Sequence, residues 1–289
     1  MLIGAGRVGM NLLRHLKRRN FVIQTIVEPD LERHASLRSI LPDARVLSTL
    51  PTGIPHDTDI CILCVPDETI RPTAEQLAQG HMEAPSALVF HVSGLRDASE
   101  LQPLIDRGAA AGGLHPMQSF TEAPLPVEVL EDIGCGIVGD DTFQLRAQAF
   151  AESVGWRPLR LRADQKALYH AACVFAGNFP VVLAALADQL LCAALEEGET
   201  TQGEHLRPMI ETVLHRLRTV PVEQALSGPA ARGDLLAIGK HLAALRDHGG
   251  EAVSAYADLT RAAARIAKLP ADVQRDIDAL VHSWVRSEH

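Results

Sequence analysis

The tightest constraint on this chain is a run of six residues near its start, Gly4-Ala5-Gly6-Arg7-Val8-Gly9. Three glycines in the spacing G-x-G-x-x-G suit a turn from a first strand into a first helix. Each has its own reason to lack a side chain. Gly4 permits the tight turn, Gly6 leaves the backbone bare where a pyrophosphate approaches, and Gly9 lets the helix pack close to the sheet. The free amides and positive dipole end at the helix start, around Arg7 and Val8, would hold the phosphates. The run predicts a dinucleotide turn if strands, helices and an acidic residue follow in the right order. Only three residues precede Gly4, so the first strand is a stub of a usual strand or the chain begins upstream.

The order does follow. Residues 7–20 have helical spacing, and 21–27 read as a second strand that ends at Glu28. That position, about 20 residues beyond the turn, is where an acidic side chain meets the adenosine ribose. A carboxylate there accepts from the ribose hydroxyls and repels a 2′-phosphate. Glu28 therefore leans the cofactor toward NAD over NADP, with Arg33 close enough to complicate the preference. Further strands are expected at 44–47, 59–65, 87–92, 110–114, 135–138 and 157–161. Helices are expected at 31–41, 68–78, 98–106 and 142–154. Such alternation implies an α/β fold, a doubly wound parallel sheet.

From about Asp164 only helical periodicity remains, with helices expected at 164–196, 203–219, 221–226, 234–248, 250–267 and 270–286. This gives a dinucleotide-binding domain over 1–162 and an all-helical substrate and dimerisation domain over 163–289. The apolar run from Ala171 to Ala187 contains Asn178 and Pro180 and falls short of the roughly 20 residues of a membrane span. It reads as a buried helix kinked at Pro180. The formal charge of -9 and an aromatic content of 4% provide neither a basic tract nor stacking surfaces. A nucleic-acid partner is not expected. No signal peptide is legible, so a cytoplasmic protein with no membrane partner is expected. The five cysteines are expected to be reduced core residues. Cys61 and Cys64 lie in one strand with thiols on opposite faces, which disfavours a redox or metal pair. No metal site is expected.

In an open parallel sheet, ligands bind beyond the carboxyl ends of the strands. Four loops fall there: Gly4–Gly9, Val65-Pro66-Asp67, Ser93-Gly94 and His115-Pro116-Met117. Val65, Pro66 and Ser93 would border the cofactor, and Ser93 and His115 would orient a substrate. His91, inside a strand, reads as structural. The segment 166–178 carries Lys166 and His170 four residues apart on one helix face, with Asn178 two turns further on. Either Lys166 or His170 could serve as the acid/base, and Asn178 could orient the substrate. Arg232, in the loop 227–234, reads as a structural turn residue or an anion ligand.

Together, Gly-Ala-Gly-Arg-Val-Gly at 4–9, His-Val-Ser-Gly at 91–94, His-Pro-Met-Gln-Ser-Phe at 115–120, Lys-Ala-Leu-Tyr-His-Ala-Ala at 166–172 and Gly-Pro-Ala-Ala-Arg-Gly-Asp at 228–234 resemble a bacterial family of Rossmann-like oxidoreductases. Its helical carboxy-terminal domain is of uncharacterised function. The family is similar to the 6-phosphogluconate dehydrogenase-like proteins. The resemblance implies a nicotinamide cofactor, NAD or NADP, and a homodimer built through the helical domain. The expected function is hydride transfer to or from a small, anionic carbonyl or hydroxy compound. Two alternatives stand beside it: a prephenate or arogenate dehydrogenase-like enzyme, suggested by His115-Pro116-Met117, and a non-catalytic nucleotide-binding regulator. β-Hydroxyacid dehydrogenases carry a lysine followed four residues later by asparagine. Here Lys166 is followed by His170, so the catalytic correspondence is partial.

Overall fold

The computed structural model describes residues 1–80, 87–195, 201 and 203–285. The ends of two expected helices, 196 and 286, lie outside them. Two compact units divide after Phe179.

The first unit holds the sheet. Its elements run β1 (Leu2–Ile3), α1 (Arg7–Arg18), β2 (Thr25–Val27), α2 (His34–Ile40), β3 (Arg45–Leu47), β4 (Ile60–Leu63), α3 (Ile70–Ala78), β5 (Leu88–His91), α4 (Gln102–Ile105), β6 (Ala110–Pro116), β7 (Gly134–Val138), α5 (Asp141–Ser153), β8 (Arg157–Arg160) and α6 (Lys166–Gly177). The strand order is β3-β2-β1-β4-β5-β6-β7-β8. The strands from β3 across to β6 run parallel, which brings the carboxyl ends of β1, β4, β5 and β6 to one edge. The order reverses at β1, where a doubly wound sheet opens its crevice. β1 has only two residues, yet it pairs with both neighbours.

One expectation needs correcting. The sheet is not parallel throughout: β7 runs antiparallel to β6. Between them lie no crossover helix but an irregular segment and one 3-10 turn, Val127–Leu130. A parallel neighbour needs a crossover long enough to return to the starting edge. This connection stays at the carboxyl edge, so β7 starts there and runs back.

Alternation of side chains sorts the core onto the two faces of the sheet. Leu2, Ile26, Ile62, Leu88, Phe90 and Leu114 pack on one face with Leu12, Leu13, Phe143 and Phe150 from α1 and α5. Ile3, Val27, Cys61, Leu63 and Val89 pack on the other with Ile70, Leu77 and Leu104 from α3 and α4. Cys61 belongs to the second cluster, and Cys64 packs against the first, so their thiols do diverge. All five cysteines are free, and burial pushes the Cys61 thiol up to about 11. No group of three or more metal-ligating side chains occurs among the described residues.

The second unit is helical: α7 (Phe179–Ala194), whose first residue closes the first unit, then α8 (Arg207–Thr219), α9 (Val222–Ala225), α10 (Pro229–Arg232), α11 (Leu235–Arg246), α12 (Gly250–Ile266) and α13 (Ala271–Val285). Its core is Ile238, Leu242, Leu245, Val253, Ala257, Ala264, Ile277 and Val281. Arg232 ends the single turn α10, and Asp234 caps α11 by accepting from the Ala237 amide at 3.0 Å. The long helix expected from 164 is interrupted at Asn178, two residues ahead of Pro180, whose ring and missing amide do not continue a helix. The boundary between units therefore falls after Phe179, and α6 stays with the sheet. The expected burial of the apolar run is also corrected: no residue of α7 is buried, and of α6 only Lys166 is. Ala163–Ala194 is, by length and composition, long and apolar enough to cross a membrane, with a mean hydropathy of 1.7 over its most apolar 18 residues.

Candidate active site

The three glycines of the turn sit in three different settings. Gly4 has φ +89°, and a Cβ there would lie 2.5 Å from the Cys64 carbonyl oxygen. A Cβ on Gly9 would lie 2.0 Å from the Gly4 carbonyl oxygen. At Gly6 the nearest atom to such a Cβ is an Arg33 guanidinium nitrogen at 3.8 Å. Gly4 and Gly9 are thus bare because the protein fills their space, and Gly6 is bare facing a gap. α1 begins with no side-chain cap and no acidic residue in its first turn, leaving its amides and dipole end for an anion. Arg7 beside it is exposed and pairs with Glu122 at 3.3 Å. Val8 is half-buried and packs on the core. These residues fit the pyrophosphate of a dinucleotide.

Glu28 stands at the end of β2 as expected, but it is buried. One carboxylate oxygen accepts from the Ala5 amide at 2.7 Å, and the other from the Asp30 amide at 2.9 Å. It therefore ties the glycine turn to the end of β2. Arg33 reaches to 3.7 Å from the same carboxylate and to 3.2 Å from Asp30.

Next along the edge come the loops after β4 and β5. Val65 is half-buried and Pro66 exposed, both at the carboxyl end of β4. The Ser93 hydroxyl donates to Asp67 Oδ2 at 2.9 Å and accepts from the Leu95 and Arg96 amides at 3.1 and 2.9 Å. With donor and lone pairs used, it shapes the loop and holds no free proton for a ligand. His91 is wholly buried. Its Nδ1 accepts from the Ser93 amide at 3.3 Å, so Nε2 carries the proton and donates to the Asp97 carbonyl at 2.9 Å. Burial, then the Lys166 charge, brings His91 down to about 4, and the ring is neutral and structural.

Lys166 opens α6 and is 1% exposed. Its ammonium donates to the Ser93 carbonyl at 2.8 Å. Gly113 of β6 leaves it room, since a Cβ there would sit 2.9 Å from Nζ. Burial lowers the Lys166 pKa to about 8, against the upward pull of Asp97 and Asp67. No carboxylate lies in salt-bridge contact with it among the described residues, so the amine is poised between its two forms at mildly alkaline pH.

His115 and His170 converge on Gly94. A Cβ on Gly94 would meet His170 Nδ1 at 2.3 Å and His115 Nε2 at 3.1 Å. The two imidazoles are edge to face, with centroids 5.9 Å apart. His170 Nδ1 is buried with no hydrogen-bond partner among the described residues. Burial, helped by the Lys166 charge, drops His115 to about 3, so it is neutral at physiological pH. Both rings line a pocket of about 240 Å³ with Gln118, Ser119, Cys173 and Asn178. Asn178 is exposed at the far end of α6, and Lys166 is not among the residues that line the pocket. A larger cavity of about 360 Å³ opens beside Met1, Phe21, Ile60 and Phe150, at the opposite, amino-terminal edge of the sheet. It gathers no comparable convergence of imidazoles.

One participant was not foreseen from the sequence. The Tyr169 hydroxyl lies 2.8 Å from His115 Nδ1. On a helical wheel Tyr169 sits one residue from His170 and reads as core; only β6 and β7 show what it touches. Asp67, which anchors Ser93, lies in the loop Val65-Pro66-Asp67 expected at this edge.

A glycine turn on a helix start at the reversal point of a parallel sheet, with a polar pocket at the same edge, defines a Rossmann-type dinucleotide fold. The chain pairs a Rossmann-like domain, matched over residues 1–116, with the domain of unknown function DUF2520, matched over 133–263. A search of curated proteins returned no match. Among solved structures it resembles the candidate NADP oxidoreductase BF3122 of Bacteroides fragilis at 23% identity, over 91% of this chain and 96% of that one, with TM-score 0.70. It resembles TM1727 of Thermotoga maritima at 22% identity over 92% and 97%, with TM-score 0.71. An imine reductase variant from Myxococcus stipitatus, in complex with NAD+, aligns at 14% identity over 100% and 93%, with TM-score 0.54. These likenesses show the fold.

Proposed function

We propose that the chain is an NAD(P)-dependent oxidoreductase acting on a small, anionic carbonyl or hydroxy compound. The observation that carries this reading is the pair of imidazoles, His115 and His170 with its unpartnered Nδ1, that close against the bare Gly94 and line one pocket. That pocket lies at the sheet edge that carries the glycine turn. When bound, the nicotinamide supplies the hydride or takes it up. The chain's own residues hold the substrate and handle the proton. His115 and His170 contact the reacting oxygen or the substrate's acid group, and Gln118, Ser119 and Asn178 border the rest of the pocket. Its described lining holds no carboxylate, which suits an anion and disfavours a cationic amine. Lys166 holds the Ser93-Gly94 loop through the Ser93 carbonyl and, with a pKa near 8, is one candidate for the proton donor; His170 is the other.

For the cofactor, NAD is favoured. Glu28, Asp30 and Glu32 stand against Arg33 alone at the end of β2, and that balance opposes a 2′-phosphate. The partner is a second copy. Met209, Ile210, Val213, Leu214 and Leu217 make an exposed apolar stripe along α8, with Glu211, His215, Arg216 and Arg218 on its other faces. That amphipathic pattern suits a protein partner in water, and a two-fold dimer is its simplest form. The expected compartment is the cytoplasm.

The experiment is a panel of small hydroxy and keto acids followed at the NAD(P)H absorbance band, with Lys166→Ala and His170→Ala as variants. Both should lose turnover while keeping nucleotide affinity. Full activity in both variants would end the assignment. Light scattering tests the dimer, which Val213→Glu should dissociate; a monomeric wild type would refute it.

A further inference from the structure

His115 is the last residue but one of β6, and its cross-strand partner on β7 is Gly136. A Cβ at 136 would lie 2.6 Å from Cζ and 2.7 Å from the hydroxyl oxygen of Tyr169. The bare position is a slot for that phenol, which stands edge-on to the imidazole with centroids 5.7 Å apart at 90°. The phenol oxygen lies 2.8 Å from His115 Nδ1 and 3.3 Å from the His115 carbonyl oxygen. A hydroxyl has one proton to give. Given to Nδ1, it would leave the phenol oxygen facing the carbonyl oxygen, two acceptors with no proton between them. Given to the carbonyl, with Nδ1–H donating to the phenol, it satisfies both contacts. Burial raises the Tyr169 pKa, with Cys173 adding to the effect, so the phenol keeps its proton. The groups facing the His115 ring are Tyr169 and His170 from α6, with the Lys166 charge and the neutral His91 ring nearby.

We infer that Tyr169 is a positioning residue that fixes His115 as the Nδ1–H tautomer, so that Nε2, beside the bare Gly94, keeps a free lone pair in a ring that lines the pocket. In a histidine the partner of one ring nitrogen decides what the other can do. Here Nε2 accepts a hydrogen bond, so the ligand it recognises brings a donor, a hydroxyl. The weakly basic ring orients that hydroxyl rather than storing its proton, which falls to Lys166 or His170. This inference rests on the oxidoreductase reading and narrows its substrates to hydroxy compounds at this position.

Long-range proton–nitrogen correlation on histidine-labelled protein at neutral pH tests it, with His115 assigned through His115→Asn. The expected wild-type result is an Nδ1–H tautomer with an unprotonated Nε2. Tyr169→Phe should lose that preference and shift the ring toward the Nε2–H form, with the remaining backbone amide spectrum in place. A wild-type Nε2–H tautomer, or an Nδ1–H tautomer unchanged in Tyr169→Phe, would overturn the inference. Glycolate should perturb the Nε2 signal more than acetate, which lacks the hydroxyl. Equal perturbation would overturn the hydroxyl preference. These readouts need no turnover, so the tautomer can hold while the oxidoreductase reading fails, and each result is assigned to its own claim.

Discussion

Lys166 offers the sharpest test, because a buried amine without a contacting carboxylate leaves a signature in stability. Its pKa is lowered from 10.5 to about 8, chiefly by burial. Each pKa unit corresponds to about 1.4 kcal/mol, so the protonated amine costs the fold about 3 kcal/mol at neutral pH. The sign follows from the order of the two values. The folded pKa lies below the unfolded one, so the unfolded chain binds the proton more tightly. The penalty is complete below about pH 8 and fades as pH rises from 8 to 10.5. Lys166→Met keeps the length of the side chain and removes the charge. It also leaves the Ser93 carbonyl without its donor, a pH-independent loss of about 1–3 kcal/mol. That constant cancels when the two proteins are compared across pH. The stability of the variant minus that of the wild type should fall by about 2 kcal/mol between pH 7 and 9.5. Urea denaturation reports it through Trp156, buried in the first unit, in a Trp284→Phe background. A difference that stays constant over that interval would refute the desolvated-amine reasoning and, with it, the reading of Lys166 as a proton donor near pH 8.

The glycine turn yields a paired test: Gly9→Ala should cost about 3 kcal/mol or more, because its methyl would sit 2.0 Å from the Gly4 carbonyl oxygen, whereas Gly6→Ala should keep its melting temperature and lose NADH fluorescence enhancement. Equal melting temperatures for the two variants would contradict the distinct roles. Gly94→Ala should leave nucleotide affinity intact and abolish turnover, since its methyl would sit 2.3 Å from His170 Nδ1 and push that imidazole aside. Glu28→Gln places an amide against the Ala5 or Asp30 amide, two donors face to face, and should destabilise the turn by about 1–3 kcal/mol. The same change should narrow the ratio of NADPH to NADH dissociation constants in titrations; an unchanged ratio would remove Glu28 from cofactor selection.

Much of the fold was readable because it rests on periodicity and on glycines. Apolar strands alternating with helices require a layered sheet, and the spacing of Gly4, Gly6 and Gly9 requires a bare turn whatever lies around it. Strand alternation likewise put Cys61 and Cys64 on opposite faces. The direction of β7 was not readable in this way. It depends on which edge the irregular segment after Met117 occupies, and no local pattern records that.

The candidate site divides along the same line. The sequence alone determined which polar residues would stand at strand ends: Glu28, Ser93 and His115. Lys166 and His170 followed from helical spacing on one face. Only the tertiary structure decided which of their atoms are free. It spends the Ser93 hydroxyl on Asp67 and the Glu28 carboxylate on Ala5 and Asp30, buries the Lys166 ammonium on a carbonyl, and leaves His170 Nδ1 unpartnered. Tyr169 joins the site because Gly136, on a strand far away in sequence, lacks a side chain. The physical reason is the range of the interactions. Backbone propensity and burial patterns act over a few residues and are written locally, whereas a hydrogen-bond partner or the space for a ring depends on elements that meet only when the sheet closes.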